Sequence, residues 1–351
     1  MEIDLGANAF GVDFHPSQNL VATGLIDGQL HLYRYIPDST PLRVLQVRAH
    51  KESCRATRFI DDGQRIVTAS ADCSILATDV ETGSVVARLE NAHEEAINAL
   101  INVTETTVAS GDDSGCIKVW DTRQRSCCNE FGAHEDYISG MTFVSESMKL
   151  VATSGDGTMS VCNLRTNKVQ SQSEFSEDEL LSVAIMKNGR KVICGTQSGT
   201  ILLYSWGFFK DCSDRFVDLS PNSVDTLLKL DEDRVITGCD NGIISLVGIL
   251  PNRIIQPIGA HEFPIEDLAL SYDKKFLGST AHDSTLKLWD LDEILESSNG
   301  NLDKEAAASG GSDSENDMDV DTNPPKSSKG TKRKTASKSN PSDTSSFFAD
   351  L

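Results

Sequence analysis

The residues best equipped for chemistry in this 351-residue chain are histidines, hydroxyls and acids that recur in the same order. An Ala-His pair stands before a strand-like run at His50, His93, His134 and His261, so four of the seven histidines mark equivalent places. Behind His261 come Ser279, Asp283 and Trp289. His, Ser and Asp are the members of a hydrolase triad, in which an imidazole takes the proton of a serine and a carboxylate orients the ring. Recurrence argues against that use. A catalytic group is needed once, whereas a repeated set ties turns to strands wherever a structural unit needs it. The second set keeps His50 and Asp72 with Thr78 in the Trp place, and the fourth keeps His134 and Asp156 with Cys162 there. The third has His93, Ser110 and Trp120; its turn acid is read as Asp113, one place early, with Ser114 in the usual acid position. His15 and His282 read as turn residues. There is no GxSxG, phosphate-binding loop or HExxH, so no catalytic residue, cofactor or metal is expected.

Nine cysteines lie scattered without CxxC spacing or a Cys/His pattern, which suggests neither a disulfide framework nor a zinc site. Buried thiols in a reducing compartment are expected instead. The formal charge is −21. Residues 301–351 hold nine acids against seven bases, a net −2 that leaves −19 on the remainder. A body this acidic argues against general nucleic-acid binding, which needs a basic face. The start, MEIDLGAN, is acidic and lacks the apolar core of a signal peptide. Apolar runs such as Ile243–Leu250 fall far short of the ~20 residues that cross a bilayer. An intracellular soluble protein without a membrane role is expected.

The elements that must position these residues are short strands. The first three marker histidines are 43 and 41 residues apart, and the fourth follows after 127, close to three more periods. In Ala109–Asp121, ASGDDSGCIKVWD, one alternating run meets a Gly-bearing turn and a second run ends in Trp-Asp. Units of this kind run through Phe10–Tyr35, His50–Asp79, His93–Asp121, His134–Asn163, Leu180–Ser205, Val224–Ile249 and His261–Asp290. A single unit cannot bury both of its faces, so neighbours must stack. After Asp290 the chain reads DEILESSNGN, with no convincing fourth strand. Glu2–Leu5 is therefore expected to supply the outer strand of the last unit. Residues 296–351 are expected to form a disordered tail, since they offer almost nothing to bury. This tail holds an acidic block (Ser312–Asp321), a basic block (Lys326–Lys338) and a terminal FFADL (Phe347–Leu351).

A period of 40–45 residues with His near the start and Trp-Asp near the end resembles the WD repeat. The whole resembles an all-β, seven-bladed WD-repeat β-propeller over residues 1–295, followed by the disordered C-terminal tail. The resemblance implies a buried hydrogen-bonded set in which His261, Ser279, Asp283 and Trp289 match throughout. It also gives Trp120–Arg123, WDTR, a meaning. A WDxR box resembles the docking motif of substrate receptors of cullin-4 RING ubiquitin ligases, which bind the damaged-DNA-binding adaptor protein. Trp120, Asp121 and Arg123 would then be partner-binding, with Arg123 offering a planar, always charged fork; local pairing with Asp121 is the alternative. Asn163-Leu164-Arg165 is a degenerate echo. In the tail, Lys332, Arg333 and Lys334 read as a nuclear import signal, or else as a solvated charge run. Ser312 and Ser314, each with an acid three residues on, suit an acidophilic kinase.

The acidic propeller, the single WDTR, the acidic-then-basic tail and FFADL together resemble a nuclear branch of the WD-repeat family. That resemblance implies residence in the nucleus and nucleolus, with a cytoplasmic pool also compatible. It further implies a part in ribosomal RNA processing, with pre-ribosome factors among the partners of a monomer held in larger complexes. A non-enzymatic scaffold that also serves a ligase as receptor is the leading expectation. A receptor without a ribosomal role is the second.

Overall fold

Period-two alternation resolves into 28 strands in the computed structural model, which describes residues 1–296 apart from Asp38 and Asp218. The strands form seven four-stranded antiparallel sheets, so the fold is an all-β, seven-bladed β-propeller. Six blades are continuous in sequence, spanning 9–48, 54–89, 97–132, 138–172, 180–216 and 224–260. The seventh is built from Ile265–Leu270, Phe276–Ala281 and Thr285–Asp290, with a fourth strand from the other end of the chain.

Burial explains the order within a blade. All six residues of Leu20–Leu25 in the first blade are buried between neighbouring sheets, whereas the outer strand Leu42–Arg48 is mostly exposed. Apolar side chains fill the gaps between blades. Tyr35 packs edge-on against Phe14 at 5.5 Å and against Phe276 of the seventh blade at 5.4 Å. Gly259 on the sixth blade's outer strand lies under the Trp289 indole, and a Cβ there would collide with the ring. Polar ties cross the blades near the centre. The Asp13 carboxylate accepts the Phe59 backbone N–H at 2.7 Å, and Asp267 accepts that of Val12 at 3.1 Å. Burial pushes the Asp13 carboxyl up to about 6, against the opposing pull of Arg58 and the Phe59 N–H.

The ends meet as the sequence predicts. Glu2–Asp4, one residue shorter than expected, pairs antiparallel with Thr285–Asp290, setting Glu2 opposite Lys287 and Ile3 opposite Leu286. The Met1 amino group donates to the Leu288 carbonyl at 2.8 Å, and the Leu288 N–H donates to the Met1 carbonyl at 2.8 Å. Ile3 and Leu5 are buried in the cluster that joins the first and last blades. Beyond Asp290 the chain turns into a short helical segment over 291–296, with Leu291 buried, so among the described residues no strand after Asp290 completes the seventh blade. Among the described residues no helix is long and apolar enough to cross a membrane.

Deleting residues 1–6 removes two buried aliphatic side chains and exposes a strand edge. The melting temperature should fall by about 10 °C, and an unchanged melt by circular dichroism would show that the ring does not depend on this pairing.

Candidate functional site

The hydrogen-bonded set is complete in the seventh and third blades. In the seventh, the Trp289 indole N–H donates to Ser279 Oγ at 2.8 Å, and Ser279 Oγ lies 2.7 Å from His261 Nε2. His261 Nδ1 lies 2.7 Å from Asp283 Oδ2, while Asp283 Oδ1 accepts the Thr285 N–H and hydroxyl at 3.0 and 2.7 Å. The serine hydroxyl receives the indole proton and gives its own to Nε2, so Nδ1 carries the ring proton and donates it to the carboxylate. Burial lowers the His261 pKa, more than the Asp283 charge raises it, which keeps the imidazole neutral at pH 7. Burial works to raise the Asp283 carboxyl, yet hydrogen bonds from Thr285 and His261 outweigh it and hold the group below its ordinary range.

In the third blade the acid is Asp112, which corrects the reading of Asp113. His93 Nε2 lies 2.6 Å from Ser110 Oγ, and His93 Nδ1 lies 2.7 Å from Asp112 Oδ2. The Trp120 indole donates to Ser110 Oγ at 2.8 Å. The reason is the strand's pleat. Thr107–Asp112 stays extended through Asp112, so residues 110 and 112 share a face and residue 113 points away. Counting by two from Ser110 would have found it. The Ser114 N–H and hydroxyl and the Cys116 N–H all donate to Asp112 Oδ1, within 3.0 Å. Gly115, at φ +81, closes the turn where a Cβ would meet the His134 carbonyl. Asp113 instead reaches Arg55 and Asn98 in the direction of the second blade.

The weaker copies keep parts of the set. His50 Nε2 meets Thr68 Oγ1 at 2.8 Å and its Nδ1 meets Asp72 at 3.3 Å, while Thr78, in the Trp place, is buried with an unpartnered hydroxyl. Burial raises the Asp72 carboxyl, but the Ser74 hydroxyl and the Lys51 N–H bring it down to about 2. His134 Nε2 meets Ser160 at 2.8 Å and its Nδ1 meets Asp156 at 3.1 Å, with Cys162 buried beside Ser160. His15 is a turn residue as expected: its Nδ1 accepts the Ser17 and Gln18 N–H groups at 3.1 Å. His282 lies in a turn and pairs with Glu266.

This geometry bonds and does not react. Ser110 and Ser279 are fully buried, so no substrate carbonyl can reach either hydroxyl. His93, Asp112 and Cys116 converge closely among the described residues, but His93 and Asp112 bond each other and the second Asp112 oxygen accepts from Ser114 and the Cys116 N–H. The nine cysteines are free thiols, and only Cys54, Cys162, Cys194 and Cys239 are buried. Cys127 and Cys128 are exposed on an outer strand, contrary to the expectation of buried thiols.

WDTR divides into a buried part and an exposed part. Trp120 is 8 % exposed and committed to Ser110. Asp121 ends the strand Cys116–Asp121, and its Oδ1 accepts the backbone N–H groups of Arg123 and Gln124, each at 2.8 Å. It caps the turn and takes no ion pair from Arg123. The Arg123 guanidinium is exposed and has no partner among the described residues. The fourth blade repeats the cap, with Asn163 Oδ1 accepting the Arg165 and Thr166 N–H groups at 3.0 and 3.2 Å. Lys332, Arg333, Lys334, Ser312, Ser314 and the terminal FFADL lie outside the described residues, as does the expected disorder of 297–351.

Seven four-stranded blades closed into a ring, with this set complete in two of them and partly kept in two more, define a WD-repeat propeller. The family model described as WDR55 matches residues 1–294, and the chain belongs to the WDR55 family. WD repeat-containing protein 55 of Arabidopsis thaliana is 85% identical over 301 residues, covering 86% of this chain and 85% of the relative. The Homo sapiens protein of the same name is 38% identical over 295 residues, covering 84% and 77%. WD repeat-containing protein JIP5 of Coprinopsis cinerea is 34% identical over 319 residues, covering 87% and 77%.

Asp112→Asn should destabilise the chain by about 2 kcal/mol at pH 7, because a buried ion-assisted hydrogen bond is lost. Asp113→Asn should cost less than about 0.5 kcal/mol. Burial raises the Asp112 carboxyl, but His93, Cys116 and Ser114 hold it below 3.8 overall. Its contribution is therefore present above pH 3.8 and lost as pH falls through the lower folded value. Urea unfolding of both variants across pH 3–7 checks the order; equal costs would return the role to Asp113.

Proposed function

We propose that this WDR55-family propeller is a non-enzymatic protein-interaction scaffold of the nucleus and nucleolus. It acts in ribosomal RNA processing and ribosome biogenesis, and serves as a substrate receptor on a cullin-4 RING ubiquitin ligase by docking on the damaged-DNA-binding adaptor protein. The observation that carries the docking is Arg123. Its turn is held by the Asp121 carboxylate, its strand is anchored by the buried Trp120, and its guanidinium is left free. A planar, always charged fork on a held turn and unengaged within its own fold has all its donors available to a carboxylate or carbonyl and breaks no existing ion pair to meet one. In this reading Trp120 and Asp121 support Arg123 and do not touch the partner. The scaffold role is supported by the burial of the set's histidines and serines, which are bonded to one another, and by membership of a WD-repeat family. The nuclear and ribosomal roles rest on the sequence resemblance and on the Lys332-Arg333-Lys334 cluster. A ligase receptor without a ribosomal role is the second reading, since the free Arg123 guanidinium supports adaptor docking and has no bearing on a ribosomal role.

Arg123→Ala should weaken capture of the adaptor at least about tenfold while leaving the melting temperature within about 1 °C of wild type. Full-strength pull-down by the variant would remove the ligase reading. Replacing Lys332, Arg333 and Lys334 with alanine should move a fluorescently tagged chain toward the cytoplasm. An unchanged nuclear signal would refute the import assignment.

A further inference from the structure

We propose that the junction between the second and third blades is a docking slot for one apolar side chain of a partner segment that carries carboxylates beside that anchor. The slot arises from a single small residue. On the third strand of each blade, the residue just before the Trp place is Leu32, Val119, Val161, Leu203, Leu246 or Leu288, all of them buried. The second blade has Ala77 there, and Ala77 faces another alanine, Ala87, across the strand pair. What the missing methyl groups leave is a cavity of about 100 Å³ among Ile60, Val67, Ala77, Ala87, Val108 and Trp120.

Its size and lining define the occupant. Small-molecule sites run to roughly 300–1,000 Å³, so this volume suits one leucine-sized side chain. The walls are apolar, and water gains nothing there. The exposed residues at the rim are Arg65, Val86 and Arg125. Arg65 is 47 % exposed and pairs with Asp61 at 2.8 Å, while Arg125 donates only a long 3.3 Å bond to the Val86 carbonyl. The nearby Asp121 carboxylate is already occupied by backbone N–H groups. Two guanidiniums with spare donors therefore flank an apolar hole in a chain of net charge −21, and the local complementarity is to a segment pairing an aliphatic anchor with acids. Arg123 does not line the slot, so this inference stands apart from adaptor docking.

The test is fluorescence anisotropy on the full chain with a labelled peptide, Gly-Ser-Asp-Leu-Asp-Ser-Gly. One control peptide has Ala for Leu, and another has Lys for both Asp. The Leu-Asp peptide should bind saturably, with both controls at least tenfold weaker. Ala77→Leu, which restores what most blades carry, should melt no lower than wild type and bind the peptide at least tenfold more weakly. Should Ala77→Leu fail to fold, Ala77→Val, the residue of the third and fourth blades, takes its place. Arg65→Glu with Arg125→Glu should shift preference to the Lys peptide, and Arg123→Ala should bind as wild type does. Absence of saturable binding, equal binding of the Leu and Ala peptides, or undiminished binding by the filled-slot variant would overturn the slot. Equal binding of the Lys peptide would overturn the acidic character of its partner.

Discussion

Everything in this molecule depends on one short antiparallel pairing, that of Glu2–Asp4 with Thr285–Asp290. A blade exposes apolar residues on both faces and hides them only against neighbours, so a row of seven would leave two raw faces. The pairing removes both ends together: it completes the last sheet and seats Ile3 and Leu5 in the cluster shared by the first and last blades. Ring closure then makes every blade interior, and the cross-blade ties of Asp13 to Phe59 and Asp267 to Val12 hold the inner strands in register. Burying these carboxylates is costly, as the rise of Asp13 to about 6 shows, and it is borne where the ring needs fixing.

Within that ring the repeated histidine set is a rivet. It joins the start of a blade to the turn between its second and third strands, and through the Trp indole to the third strand as well. Its members are triad residues, yet the histidines and serines are buried and bonded to one another, and the acids are taken up by the turn and the imidazole ring. Identical residue types catalyse or merely fasten according to whether a hydroxyl is left reachable. Here the reactive capacity is consumed internally, and the surface is left to loops, turns and outer strands, Arg123 among them.

The periodic features could be read without coordinates. Blade number and the closure by residues 2–5 follow from spacing and alternation, which sequence carries directly, and the seventh blade's set follows from the resemblance to the WD repeat. The fifth and sixth blades were found despite losing the histidine, because strand alternation persists in Leu180–Met186 and Val224–Lys229. Asp113 stands in for Asp112 in the sequence reading because alignment to the seventh blade places the acid in the turn, four residues after the serine, whereas in the third blade it stands two after Ser110, on the last position of a strand of equal length. Burial of the cysteines was overestimated for a related reason: residue type is a weak guide on outer strands, where Cys127 and Cys128 face solvent. The slot at Ala77 was invisible because it is an absence between two sheets, apparent only once facing residues are known.

The way the ring closes also bears on how the chain is made. A ribosome releases Ile3 and Leu5 first and Thr285–Asp290 some 280 residues later, so the opening strand waits unpaired through most of synthesis. At roughly 5–20 residues per second that wait lasts on the order of tens of seconds. Early blades must stand with one raw face until the last emerges, so the apolar surface later shared by the first and last blades is uncovered in the meantime. The two negative charges on Glu2 and Asp4 then act as gatekeepers, keeping the waiting segment soluble and unattractive to other strand edges.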